Sequence, residues 1–179
     1  LNRPWPTRNY KFNLIVADPP WNFKTWNPKK STKKPPYGLM SLQDIKELEI
    51  WKLAADDCVL VLWATQAQLH HAIETMAAWG FTFKTSGAWA KQSKTGKKWA
   101  FGTGFILRSA SEFFIIGTRG NPKSQTRSER NLIVAPLRSH SEKPEELQDA
   151  LERMYPTARK CELFARRQRR GWYCCGDEL

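Results

Sequence analysis

Apolar positions along this chain follow two rhythms. Short unbroken runs bounded by turn residues occur at 11–17 and 58–63, where Leu14-Ile15-Val16-Ala17 and Val59-Leu60-Val61-Leu62 carry no polar residue. Such runs predict strands buried on both faces, as in a parallel sheet. Between and after them the spacing becomes helical. Ser41 with Asp44 predicts an N-cap and a first-turn acid for a helix reaching about Leu48. The stretch 67–79 has apolar residues at helical spacing, and Gly80 suits its C-terminal cap. Further strands are predicted at 81–90, 112–117 and 132–135. Pro144 is expected at the first position of a helix that continues with Glu145 and Glu146 and carries Leu147, Leu151 and Met154 as its apolar stripe. Strands at 160–164 and 172–175 complete the pattern.

The first strand has to stop at Asp18, because Pro19 and Pro20 cannot donate to a sheet ladder. Open α/β sheets place ligands at strand ends, so Asp18-Pro19-Pro20-Trp21 is the expected edge of a site. An acid, a proline carbonyl and an aromatic plane together suit an exocyclic amine on a flat base. Ionised Asp18 can accept one amine hydrogen and the Pro19 carbonyl the other, while Trp21 can stack on the base. The alternative is a proline turn with a capping Asp and a core Trp.

Charge extends this picture. With 29 Lys and Arg against 17 Asp and Glu, the net charge of +12 points to a polyanionic partner. Two basic loops, near 22–38 and 91–108, interleave lysines with aromatics: Lys29, Lys30, Lys33 and Lys34 around Trp26, and Lys97 and Lys98 beside Trp99. In the first of them that mixture fits nucleic-acid backbone and base; a solvated charge run is its other reading. Trp63 closes the second strand, where it either borders the same site or lies in the core. The four cysteines form no Cys-x-x-Cys pair and have no His at zinc spacing, so no metal site is expected, and reduced thiols suit a cytoplasmic setting. The chain contains no run of about eighteen apolar residues, and no charged-then-apolar signal segment opens it.

Asp18-Pro19-Pro20-Trp21 after an apolar strand resembles the catalytic motif of S-adenosylmethionine-dependent amino-methyltransferases. The chain continues with Pro36-Tyr37-Gly38-Leu39-Met40-Ser41, Val61-Leu62-Trp63-Ala64-Thr65, Gly117-Thr118-Arg119-Gly120-Asn121-Pro122, Arg138-Ser139-His140-Ser141-Glu142-Lys143-Pro144 and Glu162-Leu163-Phe164-Ala165-Arg166. In that order these blocks are similar to the Asp-Pro-Pro-Trp family of adenine-N6 methyltransferases, which includes the catalytic subunit of the eukaryotic messenger-RNA adenosine methyltransferase and bacterial and phage DNA adenine methyltransferases. The resemblance implies an α/β, Rossmann-like methyltransferase fold, circularly permuted so that the catalytic motif is N-terminal and the cofactor motif C-terminal, with residues 1–179 as a single domain.

The resemblance also implies roles. Asp18, Pro19, Pro20 and Trp21 are the expected catalytic residues. Tyr37, Trp26, Lys29, Lys30, Lys33, Lys34, Trp63, Lys97, Lys98 and Trp99 are expected at the substrate. For S-adenosylmethionine, Asp18 is joined by Lys143 at the carboxylate end and Arg166 near the ribose. Gln168 and Arg169 stand where the messenger-RNA enzyme has a His-Asn pair, and Asp177 and Glu178 stand where it has Asn-Gln. A further family contact falls upstream of the first strand, where little of this chain stands. The expected activity is methyl transfer to the N6 amine of adenine in DNA, in a bacterial or phage-infected cell, with a homodimer implied only by the resemblance. RNA as substrate and a catalytically silent nucleic-acid-binding partner subunit are the alternatives.

Overall fold

The computed structural model describes residues 5–6, 9–22, 38–102, 104, 106–139, 142–176 and 179. Seven strands form one mixed sheet: β1 (Phe12–Ala17), β2 (Ala54–Ala64), β3 (Thr82–Gln92), β4 (Ser111–Arg119), β5 (Leu132–Pro136), β6 (Lys160–Leu163) and β7 (Trp172–Cys175). Their order across the sheet is β5-β3-β4-β2-β1-β6-β7. The strands β2, β1, β6 and β7 run parallel, β4 is antiparallel to both β2 and β3, and β5 is parallel to β3.

Central β1 is apolar from Leu14 to Ala17 because both of its faces are covered there. Ile15 and Ala17 pack with Leu60, Leu62, Cys161 and Leu163 beneath helices α1 (Leu42–Glu47) and α2 (Leu69–Ala78), which contribute Ile45, Ala72 and Met76. Leu14 and Val16 face the other way, onto Val59, Val61, Trp63, Phe114 and the Leu147 and Leu151 stripe of α3 (Glu145–Met154). The period-two alternation of side chains is what sends neighbouring residues to opposite cores. The result is a mixed α/β domain with helices on both sides of its sheet.

Local chemistry sets the ends of these elements. Ser41 caps α1 in a reciprocal box: its hydroxyl accepts from the Asp44 amide, and the Asp44 carboxylate accepts from the Ser41 amide. The segment predicted as one helix from 67 divides into a 3-10 turn at Gln66–Gln68 and α2, with Gly80 beyond it at φ +80°. Pro144 is the N-cap of α3 and not its first helical residue: its ψ of 139° is extended, so the helix begins at Glu145. The strand expected at 160–164 ends one residue earlier, because Phe164 turns the chain with φ +61°. Strand β4 runs on to Arg119 through antiparallel pairing with Cys58 and Val59 of β2, and β2 itself begins earlier than its apolar core, at Ala54, which pairs with Phe12 of β1. Among the described residues no helix is long and apolar enough to cross a membrane.

Candidate active site

The connection leaving β1 runs through α1 to β2 on one side, while the chain leaving β6 turns to β7 on the other. The carboxyl ends of β1 and β6 therefore lie where neighbouring connections diverge, the place at which open α/β sheets leave a crevice. Asp18 follows β1 and Phe164, Ala165 and Arg166 follow β6, so sheet topology alone brings two distant sequence blocks together.

The turn after β1 is tightly held. The Trp21 amide donates to the Pro19 carbonyl at 2.8 Å, and the Met40 amide donates to the Pro20 carbonyl at 3.1 Å. One lone pair of the Pro19 oxygen is used in this turn, leaving the second for another donor. Trp21 is only 5% exposed and packs in the core beneath the turn, its indole N–H donating to the Trp63 carbonyl at 2.9 Å. In this position it braces the proline turn, and the stacking face expected from the sequence is not turned to solvent. Trp63 is likewise buried, edge-on to Phe114 with ring centroids 5.2 Å apart.

Asp18 meets a second charge at once. Lys143 Nζ lies 2.9 Å from Asp18 Oδ2 and 2.8 Å from Glu112 Oε1, and Lys91 Nζ lies 2.9 Å from Glu112 Oε2. Beneath them, the Trp63 ring centroid is 5.5 Å from the Lys143 ammonium, and that of Trp89 is 5.0 Å from Lys91. Lys91, Glu112, Trp63 and Asp18 sit at the ends of β3, β4, β2 and β1, which are neighbours in the sheet, and Lys143 reaches in from just before α3, so charges of alternating sign cross one edge of the sheet.

Burial is the strongest influence on Asp18 and pushes its carboxyl above the ordinary range; Lys143 opposes this, Glu112 adds to it, and Arg166 opposes weakly. Burial would lower Lys143, but Asp18 and then Glu112 outweigh it and hold the ammonium charged. For Glu112 burial is again the largest effect, an upward one, yet the combined pull of Lys143 and Lys91 keeps its carboxyl below the usual value. Glu112 and Lys91 carried no motif in the sequence. A single acid opening a strand looks like any other until β4 is laid beside β3 and β2.

Two depressions flank Asp18. One is a narrow polar crevice of about 20 Å³ lined by Glu142, Lys143, Glu162, Arg166 and Arg167. Here Arg167 donates to Glu142 at 2.6 Å and to Gln148 at 3.2 Å, and Gln148 donates to Glu162 at 2.7 Å. Glu162 is pushed up to about 7, first by burial and further by the nearby Asp18, against the pull of Arg167 and Arg169. The other depression is a cleft of about 190 Å³ lined by Trp5, Pro20, Met40, Phe164, Ala165 and Arg166. Room for a ligand body therefore lies on the Phe164 side, with an acid and cations gathered at its rim. Phe164 is fixed there by its backbone turn and by an edge-on contact with Trp5 at 5.2 Å.

The remaining sequence-predicted residues separate from this centre. Gln168 is exposed and lines neither depression. Arg169 is clamped to α3 through Asp149 at 2.6 Å and Glu152 at 2.8 Å, and Trp172 donates to the same Glu152, so it acts as a strut between α3 and β7. Lys97, Lys98 and Trp99 stand on a turn beyond β3 that is closed by Ser93 N–H to Lys98 O at 2.8 Å and Ala100 N–H to Lys91 O at 2.8 Å. On it Trp99 is 63% exposed; Phe101 is 64% exposed, with Arg108 5.2 Å from its ring. Trp26, Lys29, Lys30, Lys33, Lys34, Tyr37, Asp177 and Glu178 lie outside the described residues.

Comparison with known proteins places this geometry. The chain is 29% identical to the Type II methyltransferase M.MunI of Mycoplasma sp, over 94% of this chain and 78% of that protein. It is 32% identical to the N(6)-adenosine-methyltransferase MT-A70-like of Arabidopsis thaliana and 31% identical to the N(6)-adenosine-methyltransferase catalytic subunit METTL3 of Homo sapiens, each over 94% of this chain. It spans only 24% and 28% of the lengths of these two. MT-A70 methyltransferases use S-adenosylmethionine. The cleft chemistry fits such a ligand, which carries an apolar-faced nucleoside, a carboxylate and two positive centres: Phe164 and Met40 supply apolar wall, Arg166 and Lys143 cations, and Asp18 an anion. The MT-A70 family model matches residues 12–178, from the first strand through the chain's last cysteine pair, and this chain belongs to the MT-A70 family of adenine-N6 methyltransferases.

Proposed function

We propose that this protein transfers the methyl group of S-adenosylmethionine to the N6 amine of adenine in DNA. The observation that carries this reading is the placement of Asp18: a buried carboxylate at the end of β1, on the rim of the Phe164 cleft and beside a proline carbonyl with a lone pair to spare. An adenine amine is a weak nucleophile, so orientation supplies most of the acceleration. One Asp18 carboxylate oxygen and the Pro19 oxygen each accept an amine hydrogen, which directs the nitrogen lone pair away from the turn. The cofactor, when bound, supplies a methyl activated by sulfonium charge. Lys143 would face its anionic end, Arg166 its ribose and the Phe164 wall its nucleoside, with Asp177 and Glu178 as the further contacts expected at the ribose and adenine.

Trp21 holds the turn, and the exposed Trp99 with Lys97 and Lys98 offers a stacking and phosphate-binding surface for the strand around the target. A target within a duplex has to be turned out of the stack at a cost of about a few kcal/mol, which base contacts offset. Tyr37, Trp26, Lys29, Lys30, Lys33 and Lys34 are assigned to the same polymer. The Asp18 motif follows the first strand and the Arg166 block the sixth, the order of a circularly permuted Rossmann-like methyltransferase. DNA is preferred because the chain spans most of M.MunI, whose name is that of a Type II methyltransferase, but only about a quarter of the adenosine enzymes. RNA is the second reading, supported by identities to those enzymes of 31–32%.

The test is transfer of tritium from labelled S-adenosylmethionine to unmethylated duplex DNA, single-stranded DNA and RNA in parallel, with Asp18→Ala as control. Label in DNA adenine that Asp18→Ala abolishes is the expected result. Label only in RNA replaces the substrate. Tight polymer binding with no label in any of the three replaces the enzyme by a nucleic-acid-binding partner subunit.

A further inference from the structure

The line of charges crossing the sheet edge raises a question about Asp18. A buried carboxylate facing a lone ammonium is drawn into a close pair that sets the rotation of its carboxyl plane, and so the directions in which its remaining lone pairs can accept from a substrate. Here Lys143 touches Asp18 through Oδ2 at 2.9 Å while Glu112 Oε1 holds the same ammonium from the opposite side at 2.8 Å. Glu112 is fixed in turn: it sits in register with Trp89 across β3 and β4, and its other oxygen is taken by Lys91 at 2.9 Å. The side chains of Asp18, Lys143 and Glu112 are each less than a fifth exposed, so water screens little of this interaction.

We infer that Glu112 is a positioning residue for the transfer reaction: by sharing the Lys143 ammonium it keeps that cation centred between two carboxylates and the Asp18 carboxyl plane turned toward the substrate amine. The inference rests on the function proposed above and extends it to a strand that the tetrapeptide does not touch. Lys91 is the outer anchor of the same device. It leads into the turn carrying Lys97, Lys98 and Trp99, so the substrate-facing side of the sheet and the reacting carboxylate share one chain of contacts.

Removing the Glu112 charge has two readable effects. With Glu112→Gln the ammonium moves toward Asp18, turns its carboxyl plane away from the substrate amine and stabilises its ionised form. The groups facing Asp18 are Lys143, Glu112, Arg166 and Glu162, and the variant deletes one of the two negative neighbours. The Asp18 carboxyl, followed by carbon NMR on the full chain without cofactor, is therefore expected to titrate at lower pH in Glu112→Gln than in the wild type. In the transfer assay kcat is expected to fall on the order of 10- to 100-fold, as for a misplaced reacting group.

Glu112→Asp, which keeps the charge on a shorter arm, is expected to restore the Asp18 titration and part of kcat; it also carries the test should Glu112→Gln fail to fold by thermal unfolding. An unmoved Asp18 titration, or wild-type kcat in Glu112→Gln, overturns the inference. A wild type that methylates no polymer overturns the parent function and this role with it. That outcome is distinguishable, because the wild-type assay fails before any variant is compared.

Discussion

The two halves of the sheet edge are built on opposite plans. On the β1, β6 and β7 side, parallel strands end in a proline turn, the wall of the Phe164 cleft and the ion-paired side chains of Asp18, Arg167 and Arg169. On the β3, β4 and β5 side, the antiparallel pair β3–β4 carries its connection outward and leaves Trp99, Phe101, Ile106 and Leu107 in solvent. One half holds a reacting group still; the other presents aromatic and basic surface that can follow a polymer. The line Asp18–Lys143–Glu112–Lys91 joins them. The lesson lies in the tryptophans: the same residue type is a brace at position 21 and a surface at position 99.

The sharpest way to break this contrast is to truncate both rings. Trp21→Ala is expected to lose about 3–5 kcal/mol of folding stability, the usual cost of removing a buried aromatic, measured by denaturant unfolding. A loss below about 1 kcal/mol would return Trp21 to the stacking role read from the sequence.

A smaller effect separates the polar crevice from the apolar wall. Glu162 titrates at about 7 in the folded protein, against an ordinary value of 4.5. The fold thus binds its proton more tightly than the unfolded chain does. Stability is full below about pH 4.5 and declines as pH rises through about 7, by on the order of 2–3 kcal/mol from this one group. Glu162→Gln is expected to match the wild type near pH 4 and to exceed it at pH 8 in thermal unfolding. Equal stability of the two proteins at both pH values would count against the burial argument.

The smallest expected change falls on the exposed half. Trp99→Ala should leave stability within about 0.5 kcal/mol while weakening nucleic-acid binding by about 1–3 kcal/mol. Replacing Lys97 and Lys98 by Ala should flatten the salt dependence of duplex binding by about 0.9 in slope for each phosphate that is no longer neutralised. An unchanged slope would make this turn a solvated charge run.

Much of this was legible in the sequence where a short-range rule governs. The run Leu14-Ile15-Val16-Ala17 stops where two prolines force it to stop, and Ser41 with Asp44 closes its own capping box. Trp21 was harder, because the choice between a stacking ring and a core ring depends on whether Trp63, forty-two residues away, offers it a carbonyl. Lys143 was legible as a cation but not as a shared one. Its partners stand on β1 and β4, and only sheet order makes them adjacent. Arg169 shows the same dependence in reverse, since Asp149 and Glu152 on α3, distant in sequence, hold it.

Phe164 carries a consequence of its own. A non-glycine residue at φ +61° costs of order 1–3 kcal/mol of backbone strain, and a glycine there would avoid it. The ring is nevertheless held against Trp5, on the wall of the larger cleft. The ordering of that wall is thus settled when the chain folds, so a ligand arriving later finds a rigid surface and does not have to freeze one. Rates of association at this cleft should accordingly show little of the lag that belongs to pockets assembled around their guests.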